Sequence, residues 1–305
     1  MTSQIARRQF FQTAGMGALA GAGLALSGKG TQNPPAATSP QFPRLLIGLC
    51  AYSYKKPLDA GKMTMEDFLL KCVELGVHGA DMTAYWFRAS SDPAYLLSLR
   101  HLAFKNGLPF TGVGSGPDML EGDKVKRQEI VTELKKWVDI TETLGASHMR
   151  VFAGRLPKGA TTAQGLEWTI ESMKTLVDYS AKKGITLGVE THGGITQRAD
   201  TTLELLHRVD SPYLGITLDI THFLGESEEM YKQIEACVPY ATMTHIRDKF
   251  DNQTPIDLDR VWQMFAKQGY KGYMALEFEA RADPMAGVPP MLEKMKALSK
   301  KYSSV

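Results

Sequence analysis

The chain has 305 residues, of which 43% are apolar and 22% are charged, and its formal net charge is +2. It can bury a large core, and one α/β barrel of roughly 250 residues would use nearly all of it. The charge is almost balanced and no run of Lys and Arg interleaves with aromatic residues, which argues against a nucleic-acid partner. Three scattered cysteines, Cys50, Cys72 and Cys237, are too few for a disulfide framework or a thiolate metal site, so buried free thiols are expected.

The first 27 residues have the composition of an export signal. Arg7 and Arg8 are followed by Gln-Phe-Phe and then by a weakly apolar stretch, residues 14–26, made mostly of Gly and Ala. This pattern resembles a twin-arginine signal and predicts an exported, periplasmic protein; an N-terminus that carries two arginines by chance is the alternative. The stretch is too short to span a bilayer, which needs about 20 residues, so no stable membrane anchor is expected. Residues 28–43 are predicted to be a flexible linker, and residues 44–305 the folded domain.

From residue 45 onward, short apolar runs alternate with segments of helical periodicity. Helix starts and stops are also marked, for example by Thr64 as an N-cap and Gly76 as a C-terminal stop. The predicted strands cover residues 45–50, 77–82, 109–113, 148–152, 184–190, 214–219, 240–245 and 273–277. The predicted helices cover residues 65–76, 94–106, 123–144, 162–183, 202–208, 226–237, 258–268 and 290–302. Strict alternation of eight strands with eight helices, without a Gly-x-Gly-x-x-Gly turn, predicts a single-domain (β/α)₈ TIM barrel rather than an open sheet.

Four successive strands each end on a side chain that can bind a metal ion: Glu190, Asp219, His245 and Glu277. The intervals of 29, 26 and 32 residues each fit one βα unit, which brings the four strand ends to the same mouth of the barrel. Side-chain alternation points three of the four residues cleanly into the barrel; the strand that carries His245 is less regular. Periodicity alone does not choose between Glu277 and Glu279, although the strand length favours Glu277.

Each of these residues also has an ordinary explanation. A single carboxylate at a strand end is usually a helix cap or a surface ion-pair partner, and a single His is usually structural. Four such residues at equivalent places are harder to explain in this way, because an unpaired buried carboxylate costs on the order of several kcal/mol. A shared divalent cation would compensate for this cost, and Mn²⁺, Mg²⁺, Co²⁺ and Zn²⁺ all suit such ligands.

At these residues the sequence resembles the xylose isomerase-like TIM-barrel superfamily. The most specific segments are Val-Glu190-Thr-His192-Gly-Gly, Leu-Asp219-Ile-Thr-His222, His245-Ile-Arg247-Asp248 and Leu-Glu277-Phe-Glu279. The resemblance implies that one divalent ion is bound by Glu190, Asp219, His245 and Glu277. It further implies that His222 and Arg247 contact oxygen atoms of the substrate. It also implies a sugar or keto-sugar substrate. The repair endonucleases of the superfamily have a histidine-rich three-metal site, and this chain, with seven His in all, departs from them.

The predicted reaction is metal-assisted proton transfer through an enediolate, catalysed by an isomerase or epimerase. Glu190 and Glu277 would act as base and acid, and His192 would line the pocket. Tyr52 and Trp86 would form an apolar wall beside the sugar, with core packing as an equally good explanation of these aromatic residues. A lyase or hydrolase that cleaves 3-keto-glycosides or C-glycosides is the first alternative, and a non-catalytic sugar-binding barrel is the second. The oligomeric state stays open, with a homo-oligomer allowed.

Overall fold

The computed structural model describes residues 42–90, 92–278 and 283–304. Eight parallel strands close into a barrel in the order of the chain, which confirms the predicted TIM barrel. The strands are β1 Arg44–Cys50, β2 Gly79–Thr83, β3 Phe110–Gly114, β4 His148–Val151, β5 Thr186–Glu190, β6 Leu214–Asp219, β7 Ala241–Ile246 and β8 Lys271–Leu276. The α-helices of the described residues are α1 Lys55–Asp59, α2 Met65–Glu74, α3 Pro93–Lys105, α4 Lys124–Leu144, α5 Thr162–Ala181, α6 Ala199–Val209, α7 Ser227–Cys237, α8 Leu258–Lys267 and α9 Pro284–Tyr302.

The barrel closes where β1 pairs with β8, in a parallel register that runs from Arg44 opposite Lys271 to Leu49 opposite Leu276. The outward side chains of the strands pack under the helices; Leu187 and Val189 of β5, for example, are fully buried. Since every strand is parallel, all eight carboxyl ends point to the same mouth, which is where TIM barrels carry their functional residues.

The N-terminus of α2 shows how local sequence sets a helix boundary. The side chain of Thr64 accepts a hydrogen bond from the backbone N–H of Asp67, and the Asp67 carboxylate accepts one from the backbone N–H of Thr64. This capping box satisfies two N–H groups that the helix leaves without partners. Gly76, just beyond the helix, has a positive φ of 60°, which favours glycine. The predicted N-cap and stop are therefore confirmed.

Three helices differ from the prediction. Helix α6 begins at Ala199, three residues before its predicted start. The short helix α1 was not predicted, because it directly follows the end of β1 and is too brief to show periodicity. The predicted start of the last helix at Pro290 is wrong: α9 begins at Pro284, Asp283 caps it, and Pro289 and Pro290 lie inside it. A proline pair most often marks a first turn, so its place in the second turn misled the prediction.

Several predictions fall on residues that are not described. The export signal, most of the linker and Glu279 lie outside the described ranges and stay predictions. Within those ranges, no helix has the length and apolar character needed to cross a bilayer. The three cysteines are free and buried, as expected.

Candidate metal and substrate site

The four predicted donors come together at the carboxyl-terminal mouth of the barrel. Glu190 ends β5, Asp219 ends β6, His245 lies one residue before the end of β7, and Glu277 directly follows β8. One donor atom from each lies within 4.8 Å of the other three. All four side chains are buried, with Asp219 fully so. Parallel strands that end at one level are the reason why residues far apart in sequence meet here.

His245 stands at the centre of this group, and both of its ring nitrogens have carboxylate partners. Nδ1 lies 2.8 Å from Oε1 of Glu190 and 3.6 Å from Oε2 of Glu277. On the other side of the ring, Nε2 lies 2.9 Å from Oδ2 of Asp81, a buried residue of β2. A carboxylate on one nitrogen fixes the orientation of an imidazole whose other nitrogen faces a metal site.

Sequence reasoning missed Asp81. The signal was present, because an acidic residue inside an otherwise apolar predicted strand is unusual. Asp81 lies in the middle of β2, whereas the predicted donors stand at the ends of the last four strands, so position at a strand end does not point to it.

Two buried guanidinium groups balance the carboxylates. Nη2 of Arg247 lies 2.6 Å from Oε2 of Glu277 and 3.1 Å from Oδ2 of Asp219. Nε of Arg150, a residue of β4, lies 3.0 Å from Oε2 of Glu190. The predicted substrate residue Arg247 is therefore in contact with two of the predicted metal ligands.

Hydroxyl groups hold the ends of the strands in place. Thr196 donates to the carbonyl oxygen of Glu190, and the hydroxyl and backbone N–H of Thr221 both donate to Oδ1 of Asp219. Ser53 donates to the carbonyl oxygen of Leu276 and accepts from the backbone N–H of Phe278, so it clamps the chain on both sides of Glu277. These contacts fix the backbone on which the donors stand.

The electrostatics of the site favour ionised side chains. Burial alone would raise the pKa of Glu190, but the charges of Arg150 and His245 outweigh it and lower that pKa. Asp219 likewise has a lowered pKa, because Arg247 and His222 oppose the effect of burial. Burial would lower the pKa of His245, yet Glu277 and Glu190 raise it well above its usual value. Burial raises the pKa of the Cys50 thiol, close to Glu277, to about 12 and keeps it protonated.

His222 and His192 extend the site towards solvent. Nε2 of His222 lies 3.2 Å from Oδ2 of Asp219, and its Nδ1 lies 2.7 Å from Oδ2 of Asp251. The ring of His192 packs against that of His222 with centroids 4.4 Å apart, and against Phe152 with centroids 4.7 Å apart. The structure therefore places both predicted substrate-binding histidines beside the four predicted donors.

The aromatic residues predicted to face the sugar cluster at the ends of β1 and β2, where Trp86 also packs against the core. The rings of Tyr52 and Trp86 have centroids 6.0 Å apart, and Tyr85 packs edge-on against Trp86. The indole N–H of Trp86 donates to Asp59 over 2.9 Å. Tyr85 is 54% exposed, so the aromatic group has a face towards solvent.

The donor set fits a divalent cation. Three carboxylates and one imidazole are hard and borderline ligands, and their closest contacts, 2.8 and 3.6 Å, resemble the spacing of neighbouring ligands around one ion. Oε2 of Glu190 and Oδ2 of Asp219 are buried and accept no hydrogen bond within the described residues, although guanidinium nitrogens lie nearby. A cation would satisfy these oxygens.

The chain belongs to the family described as xylose isomerase-like TIM barrel, whose model matches residues 69–300. A Xenopus laevis protein that carries the name hydroxypyruvate isomerase is 22% identical over 188 residues, which is 56% of this chain and 68% of that protein.

Among solved structures, D-psicose 3-epimerase matches 85% of this chain and 99% of its own, with a TM-score of 0.69 and 14% identity. The IOLI protein, solved with a zinc atom, matches 86% of this chain and all of its own, with a TM-score of 0.68 and 16% identity. At these identities the structural matches establish a common fold.

Proposed function

We propose that this protein is a divalent-metal-dependent isomerase or epimerase that moves a proton on a sugar or keto-sugar through an enediolate. The observation that carries the proposal is the meeting of Glu190, Asp219, His245 and Glu277 at one mouth of the barrel. The family supports it, as do the names of two similar proteins, a hydroxypyruvate isomerase and a D-psicose 3-epimerase.

Glu190, Asp219, His245 and Glu277 would hold the cation, which when bound polarises a substrate carbonyl and so acidifies the neighbouring C–H. Glu190 and Glu277 approach the centre from β5 and from the end of β8, so they can meet a substrate from two sides. We assign them the roles of base and acid. The lowered pKa of Glu190 keeps it ionised, which is the form that accepts a proton.

His222 and Arg247 are assigned to the oxygen that gains charge as the proton leaves. Both are cationic donors: burial alone would lower the pKa of His222, but Asp219 raises it to about 10, so its ring carries a proton near neutral pH. Fixed donors that face a developing oxyanion stabilise it more than water does. Tyr52 and Trp86 offer an apolar surface for the carbon skeleton, as aromatic rings commonly do in sugar sites.

The test is proton exchange in heavy water. Protein loaded with Mn²⁺ and incubated with D-fructose or another keto-sugar should place deuterium on a carbon next to the carbonyl, detected by NMR and mass spectrometry, with the sugar returned as an isomer or epimer. Glu190→Gln and Glu277→Gln should each slow this exchange about 10²- to 10⁴-fold, because general acid–base catalysis contributes on that scale.

The control is Glu167→Gln, which changes an exposed glutamate on α5 that pairs with Arg208 on α6 and contacts none of the four donors. It should exchange at the wild-type rate. Bound Mn²⁺ is measured in every variant, so that loss of the metal is separated from loss of the base. Full exchange in a metal-loaded Glu190→Gln protein would contradict the role of Glu190 as base. Cleavage of the sugar into two products by the wild-type protein would favour a lyase. Binding of the sugar without exchange would favour a sugar-binding barrel.

A further inference from the structure

Arg150 has a buried N–H group that none of the described residues satisfies. Its side chain is nine-tenths buried, and Nε faces Glu190. Nη1 is fully buried and makes no hydrogen bond within the described part of the chain. A buried, charged donor without an acceptor is costly, and native structures rarely retain one without a functional reason.

The sequence makes room for this guanidinium. Gly114 ends β3 beside Arg150, and a Cβ there would lie only 2.8 Å from Nη2. On the other side the guanidinium carbon lies 3.8 Å from the ring centroid of Phe152, at cation–π distance. A glycine on one side and an aromatic face on the other hold the planar group in one orientation.

The guanidinium lies close to the candidate site, because its Nε is 3.0 Å from Oε2 of Glu190. Phe152, on which it stacks, lines a pocket at the barrel mouth together with His192 and Arg155. Burial alone would lower the pKa of Arg150, but Glu190 raises it, as does the charge of Tyr85, which is 54% exposed. A small molecule held at the four predicted donors, of which Glu190 is one, would therefore lie beside Arg150.

We infer that the substrate carries a carboxylate and that Arg150 binds it. The inference rests on the proposed function of the site, and it narrows the substrate class to keto acids and sugar acids. A guanidinium offers parallel N–H groups that match the two oxygens of a carboxylate, whereas a sugar hydroxyl matches only one of them and brings no charge. The ion pair with Glu190 uses Nε of Arg150, so it does not account for the buried N–H groups on Nη1.

The first experiment compares matched pairs on the wild-type protein. D-Fructuronate differs from D-fructose, and hydroxypyruvate from dihydroxyacetone, only by a carboxylate in place of a terminal CH₂OH. We expect at least one acid to bind about tenfold or more tightly than its neutral counterpart, as measured by titration calorimetry with Mn²⁺ present. Equal affinities in both pairs would overturn the inference.

The second experiment assigns the preference to Arg150. In Arg150→Gln the acid should lose at least about tenfold in affinity while the neutral sugar changes little, and Arg150→Lys, which keeps the charge but not the paired N–H groups, should fall between. Arg208→Gln, an exposed arginine on α6, serves as the matched control. A preference for the acid that persists in Arg150→Gln would place its carboxylate on the cation instead, and an equal loss for acid and sugar would indicate a merely structural role.

Two readouts keep the inference separate from the proposed function. If Arg150→Gln does not fold, as judged by circular dichroism, the comparison of wild type with Arg150→Lys decides the assignment. Preferential acid binding without deuterium exchange would refute the isomerase and leave the carboxylate site standing. Deuterium exchange on neutral sugars without preferential binding of the acid would support the isomerase and refute the carboxylate site.

Discussion

His245 has an acidic partner on each of its nitrogens, and this arrangement sets how well it can serve as a ligand. Asp81 lies on Nε2, while Glu190 and Glu277 lie on the side of Nδ1. If Nδ1 is the ligand, Asp81 holds the ring in place and makes it a better donor, because a carboxylate on the far nitrogen raises the basicity of the near one.

Replacing Asp81 with Asn should therefore weaken metal binding without unfolding the protein. The amide keeps the size of the side chain but removes its charge, and loss of such a partner typically costs about 10- to 100-fold in metal affinity. Competition of Mn²⁺ with a chelating dye measures the change. The control Asp259→Asn, which alters an exposed carboxylate on α8, should keep the wild-type affinity for Mn²⁺. Equal affinities in the wild type, Asp81→Asn and Asp259→Asn would show that Asp81 does not support His245 as a ligand.

His148 predicts how stability depends on pH. It stands at the start of β4 inside the barrel, 93% buried, with Nε2 3.1 Å from the hydroxyl of Thr242. Burial lowers its pKa from 6.5 to about 4; Asp81 opposes this effect, and His245 and Arg150 add to it. The folded protein therefore holds His148 neutral in a range where the unfolded chain binds a proton.

The contribution of neutral His148 to the free energy of unfolding is fully present above pH 6.5. It is lost as the pH falls from 6.5 towards 4, because in this range the unfolded chain binds the proton and the folded protein does not. The shift corresponds to roughly 3 kcal/mol of unfolding free energy at most. Urea unfolding at pH 7.5 and pH 5 should show a smaller drop in stability for His148→Gln than for the wild type. Equal drops would mean that His148 is not the group responsible.

At the scale of the strands, glycines make room inside the barrel. Gly188 of β5 lies against His148 and Thr217: a Cβ at this position would lie 2.5 Å from Nε2 of His148 and 2.3 Å from Oγ1 of Thr217. Both neighbours are buried and neither can move into solvent. The small residue is thus a packing requirement of the strand, two positions before the predicted ligand Glu190.

Gly188→Ala should lower the free energy of unfolding by about 1–3 kcal/mol, as overpacking of a well-filled core commonly does. Gly122 offers the control, because a Cβ there would make ordinary contacts of 3.5 Å or more with Trp168. Chemical denaturation of both variants gives the comparison. A Gly188→Ala protein as stable as Gly122→Ala would show that the barrel interior can relax around the added methyl group.

Strands and most helices could be predicted because their signals are local. Buried parallel strands appear as apolar runs, and a cap such as Thr64 is readable from its neighbours. Helix boundaries are harder to predict where a local signal fits two positions. Pro289 and Pro290 suit the first turn of a helix, but they lie inside α9. The short helix α1 left no periodic pattern to read.

At the scale of the whole molecule, the barrel and its four donors followed from one rule. Alternating strands and helices close into a barrel, and residues at strand ends then share a mouth. Contacts between side chains from distant strands had no such rule. The pairing of Asp81 on β2 with His245 on β7 reaches across the barrel interior, and spacing along the chain does not encode this.

Anomalous diffraction from crystals grown with Mn²⁺ tests the central claim most directly, because it locates the ion independently of activity. We predict one strong peak at the barrel mouth, at about 2.0–2.4 Å from Glu190, Asp219, His245 and Glu277. The peak should vanish in Asp219→Ala. A peak bound elsewhere, or no peak at this mouth with saturating Mn²⁺, would contradict the account.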